Sequence, residues 1–265
     1  MSKPIKTTNK TILTIFAAVS LLFFAGCSSM RADSNELKSK AVAPAPDSGF
    51  IAHPESQAKH AELPFQRAWI KPGFEKSDYQ ELVVAPVNTQ FMMEMDWLHK
   101  GSSASWFGDV KKDIEELGRY FHYQVVMAFR TDPLQRFQVI EFPDKPSQRA
   151  LRLELALIEI DPSTPVLHAL TWASPVIGDG AVMGAINQRR VAFEGRLRDL
   201  KTGEVVATFA DRDMADVGPL DLTRLTWYGP AKGVMLTWAK QFVQIANSKP
   251  GEVVTDSVAF TLSPF

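Results

Sequence analysis

The sequence predicts an α+β fold, a single domain with an antiparallel or mixed β-sheet and helices packed on one face. Three observations lead there. Residues 106–130 and 229–246 repeat apolar side chains at helical spacing. Several shorter stretches alternate at strand spacing or run continuously apolar. Their order, strand then helix then strands, hairpin and helix, suits a sheet with its helices gathered on one side.

The folded body is expected to begin near Leu63, with Phe65, Trp69, Ile70 and Phe74 around a Lys71-Pro72-Gly73 turn. Residues 79–87 (YQELVVAPV) read as a buried strand that Pro86 ends. In 106–130, Phe107, Val110, Ile114, Leu117, Phe121 and Ala128 form one stripe; Lys111, Lys112, Glu115, Glu116 and Arg119 form the opposite one. Ser105 fits its N-cap, and Pro133 lies just past its end. Residues 136–142 (RFQVIEF) are a second strand. Residues 151–160 (LRLELALIEI) alternate until Ile158, where the phase blurs; that predicts a bulge or burial on both faces. In 190–199, Val191, Phe193 and Leu197 face one way and Arg190, Glu194, Arg196 and Arg198 the other. A hairpin should join it to 205–209, and because one of its faces is charged, part of the sheet should meet water. Gly229-Pro230 opens the last helix, Pro230 suiting a first helical position, and Val234, Trp238, Phe242 and Ile245 line its buried side.

Ahead of this body, Lys3, Lys6 and Lys10 precede an apolar run from Ile12 to Ala25, which ends in Ala25-Gly26-Cys27. A charged leader, a run short of spanning length and small residues before the chain's one cysteine have the layout of a bacterial lipoprotein signal. Cys27 is then the site of lipidation, and residues 1–26 are removed. Ser28, not Asp, follows Cys27, which favours sorting to the outer membrane. Residues 27–62 are polar and Pro-containing and read as a flexible, disordered tether; 28–62 would reach about 115 Å fully extended. The globular domain spans 63–250, and 251–265 form a C-terminal tail.

Composition narrows the function. The three leader lysines leave 26 of the 29 basic residues against 30 acidic ones, a net charge near −4 with no electrostatic footprint for nucleic acid. With Cys27 acylated, no thiol remains for a disulfide. No G-x-S-x-G, H-E-x-x-H or phosphate-loop motif occurs, and the five histidines are scattered. No catalytic residue, metal site or cofactor is therefore expected. Residues 91–97 (FMMEMDW) cluster three methionines, better read as core packing than as a copper(I) site. Asp199, Asp211, Arg212 and Asp213 sit toward the hairpin's ends; turn chemistry and a surface ion network explain them more simply than a cation site. Residues 166–187, apolar and interrupted by Pro175 and three glycines, read either as a loop packed over the core or as an exposed partner or ligand surface, the latter through Trp172, Val176, Ile177, Val182 and Met183.

The hairpin also carries a resemblance. Residues 191–199 (VAFEGRLRD) followed by 202–211 (TGEVVATFAD) resemble the E-x-x-x-x-D…T-G-E…D core of a bacterial lipoprotein family known as domain of unknown function number 3313. Residues 72–79 (PGFEKSDY), the 85–87 strand end (APV), the 151–160 strand and the Trp238-Ala239 helix are similar too, so the likeness covers about residues 64–247. The resemblance implies an envelope lipoprotein and carries no catalytic residues. Together these features lead to the expectation of an outer-membrane lipoprotein facing the periplasm, anchored to the membrane by its lipid. Its expected role is non-enzymatic: an interaction or assembly module with an envelope protein partner. A tethered small-molecule or lipid-binding domain is the alternative, and a hydrolase the third reading.

Overall fold

The computed structural model describes residues 42–92, 110–141, 149–160, 190–214 and 228–256. Cys27, the helix start at 106–109 with its Ser105 cap, and residues 161–189 lie outside them.

Six strands form one mixed sheet: β1 (Arg67–Ile70), β2 (Glu81–Val84), β3 (Gln138–Val139), β4 (Ala150–Ile160), β5 (Arg190–Asp199) and β6 (Val205–Met214). Their spatial order is β1-β6-β5-β4-β2-β3. β4, β5 and β6 are an antiparallel meander, and β1 adds antiparallel to β6. β2 and β3 run parallel, joined through helix α1 (Val110–Arg130), and β2 is also parallel to β4. A parallel pair needs such a crossover, whereas the β5–β6 turn is local. At that turn Gly203 takes φ +73°, and the Asp199 carboxylate accepts the Lys201 and Thr202 N–H groups at 2.9 and 2.8 Å. β1 was not anticipated as a strand, β6 extends five residues further than expected, and the 136–142 strand shrinks to two paired residues.

The blurred phase in β4 has a physical cause. Its register against β5 shifts between Leu157 and Glu159. Ile158 is the extra residue, so Ile158 and Glu159 both face away from the helices while Ile160 returns to the main core.

α1 and helix α2 (Gly229–Asn247) lie side by side on one face. They run in the same direction: Lys232 in the first turn of α2 stands over Tyr120, midway along α1, and further on the Asn247 amide donates to Asp132 past the end of α1 at 3.0 Å. α1 buries Ile114, Leu117, Phe121, Val125 and Phe129; the stripe continues through Val125 and Phe129 rather than Ala128, which is half-buried. Against the sheet, Phe65, Phe121, Phe193, Phe209, Trp238 and Phe242 form a continuous aromatic cluster. Phe193 and Trp238 meet edge-on at 4.5 Å between centroids, and the Trp238 indole donates to the buried Asp211 carboxylate at 2.9 Å. Phe209 lies across Gly195: a Cβ there would come within 2.1 Å of the ring, so only glycine fits.

The opposite face overturns one expectation and narrows another. Residues 42–62, assigned to a tether beginning at 27, are part of the body, and the charged face of β5 is covered at Glu194 while Arg190, Arg196 and Arg198 keep only partial contact with water. Val42, Ala45, Phe50 and Ile51 are buried. Glu194, 1% exposed, accepts the Ser48 N–H (3.1 Å), the Ser48 hydroxyl (2.7 Å) and the Ile51 N–H (3.3 Å). Arg196 reaches the Phe50 carbonyl, stacks on its ring at 4.4 Å and pairs with Glu154. Arg212 bonds Ala43 O and Glu159. Phe50 and Ile51 pack on Ala156, Ile158 and Ala192 as a small second core. A segment poor in large apolar residues thus docks through its backbone, which satisfies charges that would otherwise be costly to bury. The tail boundary at 250 also moves: Val254 donates to Glu62 O at 3.0 Å, and Val254 and Asp256 are buried.

Candidate functional site

The features singled out from the sequence do not converge. Cys27 and the proposed surface residues Trp172, Val176, Ile177, Val182 and Met183 lie outside the described residues, as do Met93 and Met95. Met92 packs on the main core, and Phe91 meets Phe50 edge-on at 5.3 Å. His122 Nδ1 sits 3.0 Å from the Ala85 carbonyl. Asp199 is a turn residue, as expected, but Asp211, Arg212 and Asp213 are buried, which corrects their placement in a surface network. They lie six or more positions along β6 from the turn, too far from Asp199 to share an ion. Among the described residues no group of three His, Cys, Asp or Glu side chains could hold a metal, and no helix is long and apolar enough to cross a membrane.

What the fold does provide is a cavity of about 360 Å³ between the sheet and the C-terminal ends of both helices. Its floor exists because β1 and β6 place alanines, Ala68 and Ala207, on the helix side, flanked by Leu153 and Leu197. Phe129 of α1 and Phe242 and Ala246 of α2 form the roof. Phe74 and Phe137 close the ends, and Ile70, 40% exposed, stands at the edge. Among the described residues no histidine, cysteine or aspartate lines it. The space offers shape and apolar surface, not a paired acid and base.

The mouth is polar. Glu62, Glu75, Lys76, Lys249 and Glu252 surround it. Lys76 is already engaged: its ammonium donates to Ile245 O (2.7 Å), the Ser248 hydroxyl (3.0 Å) and Ser248 O, capping the end of α2. Burial, with Arg136 adding repulsion, lowers its pKa from the ordinary lysine value. Arg136 and Asp132 hold the neighbouring loops. The guanidinium donates to Tyr79 O at 2.8 Å and to Lys76 O, and the Asp132 carboxylate accepts the Leu134 N–H at 3.2 Å and the Arg136 N–H at 3.3 Å. Glu252 accepts the Lys249 backbone N–H at 2.9 Å. Sequence reasoning missed this site. Its only linear signal is small residues at 68 and 207, where strands facing a core usually carry bulk.

Comparison with known proteins places the chain. The family described as "Protein of unknown function (DUF3313)" matches residues 47–242. The chain belongs to this DUF3313 family. The match begins inside the docked 42–62 segment, so the DUF3313 domain includes part of what the sequence suggested was tether. Among solved structures it is similar to the PelC dodecamer from Paraburkholderia phytofirmans, seen in space group P6 and, as a point variant, in space group C2. Each is 12% identical, covers 69% of this chain and 96% of the other, and superposes with a TM-score of 0.36. No curated protein matches the chain.

Proposed function

We propose that this DUF3313 protein is a lipoprotein acylated on Cys27, held at the periplasmic side of the outer membrane, and that its domain is a non-enzymatic module that binds an apolar ligand. The leader and the Ala25-Gly26-Cys27-Ser28 sequence support the anchor. The observation that carries the binding role is the cavity: about 360 Å³, apolar inside and polar at the mouth. That volume falls within the range of small-ligand sites, about 300–1,000 Å³. An apolar ligand seated there would take the apolar lining out of water, which favours binding. This favours the ligand-binding reading over the assembly reading, whose proposed surface at 166–187 lies outside the described residues.

Native mass spectrometry of the full chain, gently released from detergent, tests the binding role. A non-covalent apolar adduct is expected on the wild type and absent from the Ala207→Leu/Ala246→Leu double variant, which fills the space from floor and roof. Equal adduct on both would reject the cavity as the site. Palmitate labelling of wild type, with loss of label in Cys27→Ser, tests the anchor.

A further inference from the structure

The mouth says more than the interior about what enters. We infer that the cavity takes the acyl chain of a single-chain amphiphile whose head donates hydrogen bonds and carries no net negative charge, such as a monoacylglycerol, and that it selects against free fatty acids. This rests on the ligand-binding reading above.

Chain number follows from volume. At about 360 Å³ the cavity lies at the small end of ligand sites, about 300–1,000 Å³, which suits a single acyl chain. The lining is aliphatic and aromatic throughout the interior, with Phe129, Phe137, Phe209 and Phe242 prominent. It offers a buried carboxylate no hydrogen-bond donor there, so a charged head must stay at the mouth.

At the mouth the charges are uneven. Glu62, Glu75 and Glu252 are exposed acceptors; Glu62 and Glu75 make no ion pair among the described residues. Of the two ammonium groups, Lys76 spends its three donors on Ile245 O, Ser248 O and the Ser248 hydroxyl, opposite the negative end of α2. Lys249 alone remains to meet an anion. A fatty-acid carboxylate would therefore sit among three carboxylates and two cations, of which only Lys249 has donors left to offer it. A glycerol head would instead donate hydroxyls to the same carboxylates at no electrostatic cost. Lys76 has a structural reason to be there, so its presence at the rim is not evidence for an anionic ligand.

The test compares heads on one chain. The full protein, exchanged from detergent into amphipol, is loaded at pH 8 with the neutral apolar dye N-phenyl-1-naphthylamine, whose emission rises in an apolar site. It is then titrated with 1-myristoylglycerol or with myristate. The monoacylglycerol is expected to displace the dye at a concentration at least tenfold lower than myristate. Glu62→Gln/Glu75→Gln, at exposed positions, should narrow that ratio to within threefold, and Ala207→Leu/Ala246→Leu should abolish displaceable dye. If the dye binds and myristate displaces it as well as or better than the monoacylglycerol, or neither displaces it, the head-group selection is wrong while the ligand-binding reading stands. If no displaceable dye binds the wild type, both fall together.

Discussion

The two faces of the central sheet are covered by different means. The helix side is closed by apolar contact: Phe193 and Trp238 are each 0% exposed and sit in a continuous aromatic cluster. The other side is closed by a strap, residues 42–51, whose backbone N–H and C=O groups meet Glu194, Arg196 and Arg212. One face is held by area removed from water, the other by directional bonds to buried charge, with a small apolar cluster around Phe50 and Ile51. Stability on the first should scale with volume; on the second it should depend on single acceptors.

The sharpest way to break the helix side is Trp238→Ala. It removes the centre of the cluster and the indole donor to Asp211, and should cost about 3–5 kcal/mol in urea unfolding. Glu194→Ala should come next, at about 2–3 kcal/mol, because the Ser48 and Ile51 N–H groups and the Ser48 hydroxyl lose their acceptor inside the protein. Hydrogen exchange at Ser48 and Ile51 should accelerate while α2 stays protected; unchanged exchange would show that the apolar cluster alone holds the strap. Gly195→Ala sets the two faces against each other, since its Cβ lands in the Phe209 ring. A loss of about 2 kcal/mol is expected, with the aromatic packing disturbed and the strap retained.

The turn between β5 and β6 belongs to neither face and responds to pH. Burial pushes the Asp199 carboxyl upward, but the Thr202 and Lys201 N–H groups and the Tyr79 and Thr202 hydroxyls outweigh it and hold the pKa below the ordinary value. Burial and the same Asp199 bond raise Tyr79 from 10 to about 12. A depressed carboxyl stabilises above its unfolded pKa, near 4, and that contribution is lost as pH falls through the folded value. The raised phenol stabilises below pH 10 and loses its contribution as pH rises from there to about 12. Thermal melts should therefore show Asp199→Asn less acid-sensitive below pH 4, and Tyr79→Phe less alkali-sensitive between pH 10 and 12. The smallest effect belongs to the strap's outer ion pair. Asp47→Ala breaks a 2.6 Å contact to Arg67 from a half-exposed position and should cost under about 1 kcal/mol, which a urea midpoint compared with Glu194→Ala would register.

That contrast also explains what the sequence disclosed. The helix side was legible because period 3.6 in α1 and period 2 in β5 both report apolar burial, and the bulge at Ile158 showed as a break in phase. The strap was not, because its binding resides in main-chain groups common to every residue. Phe50-Ile51 within a polar stretch was its one side-chain signal. Alternation told which residues of β5 oppose Val191 and Phe193, but not that Glu194 would be covered. The cavity was harder still. It is made by what Ala68 and Ala207 lack, and the strands that bring them together are far apart in the chain. Its mouth joins residues near 62, 75 and 250 that no linear motif connects.

The strap also sets a leash. On the proposed acylation of Cys27, only fifteen peptide links would separate the lipid from Val42. They span about 50 Å at full stretch, under half the reach of a free segment running to residue 62. If Cys27 carries the proposed lipid, the chain enters the described domain at Val42, beside the bonds around Ala43, Ser48 and Phe50.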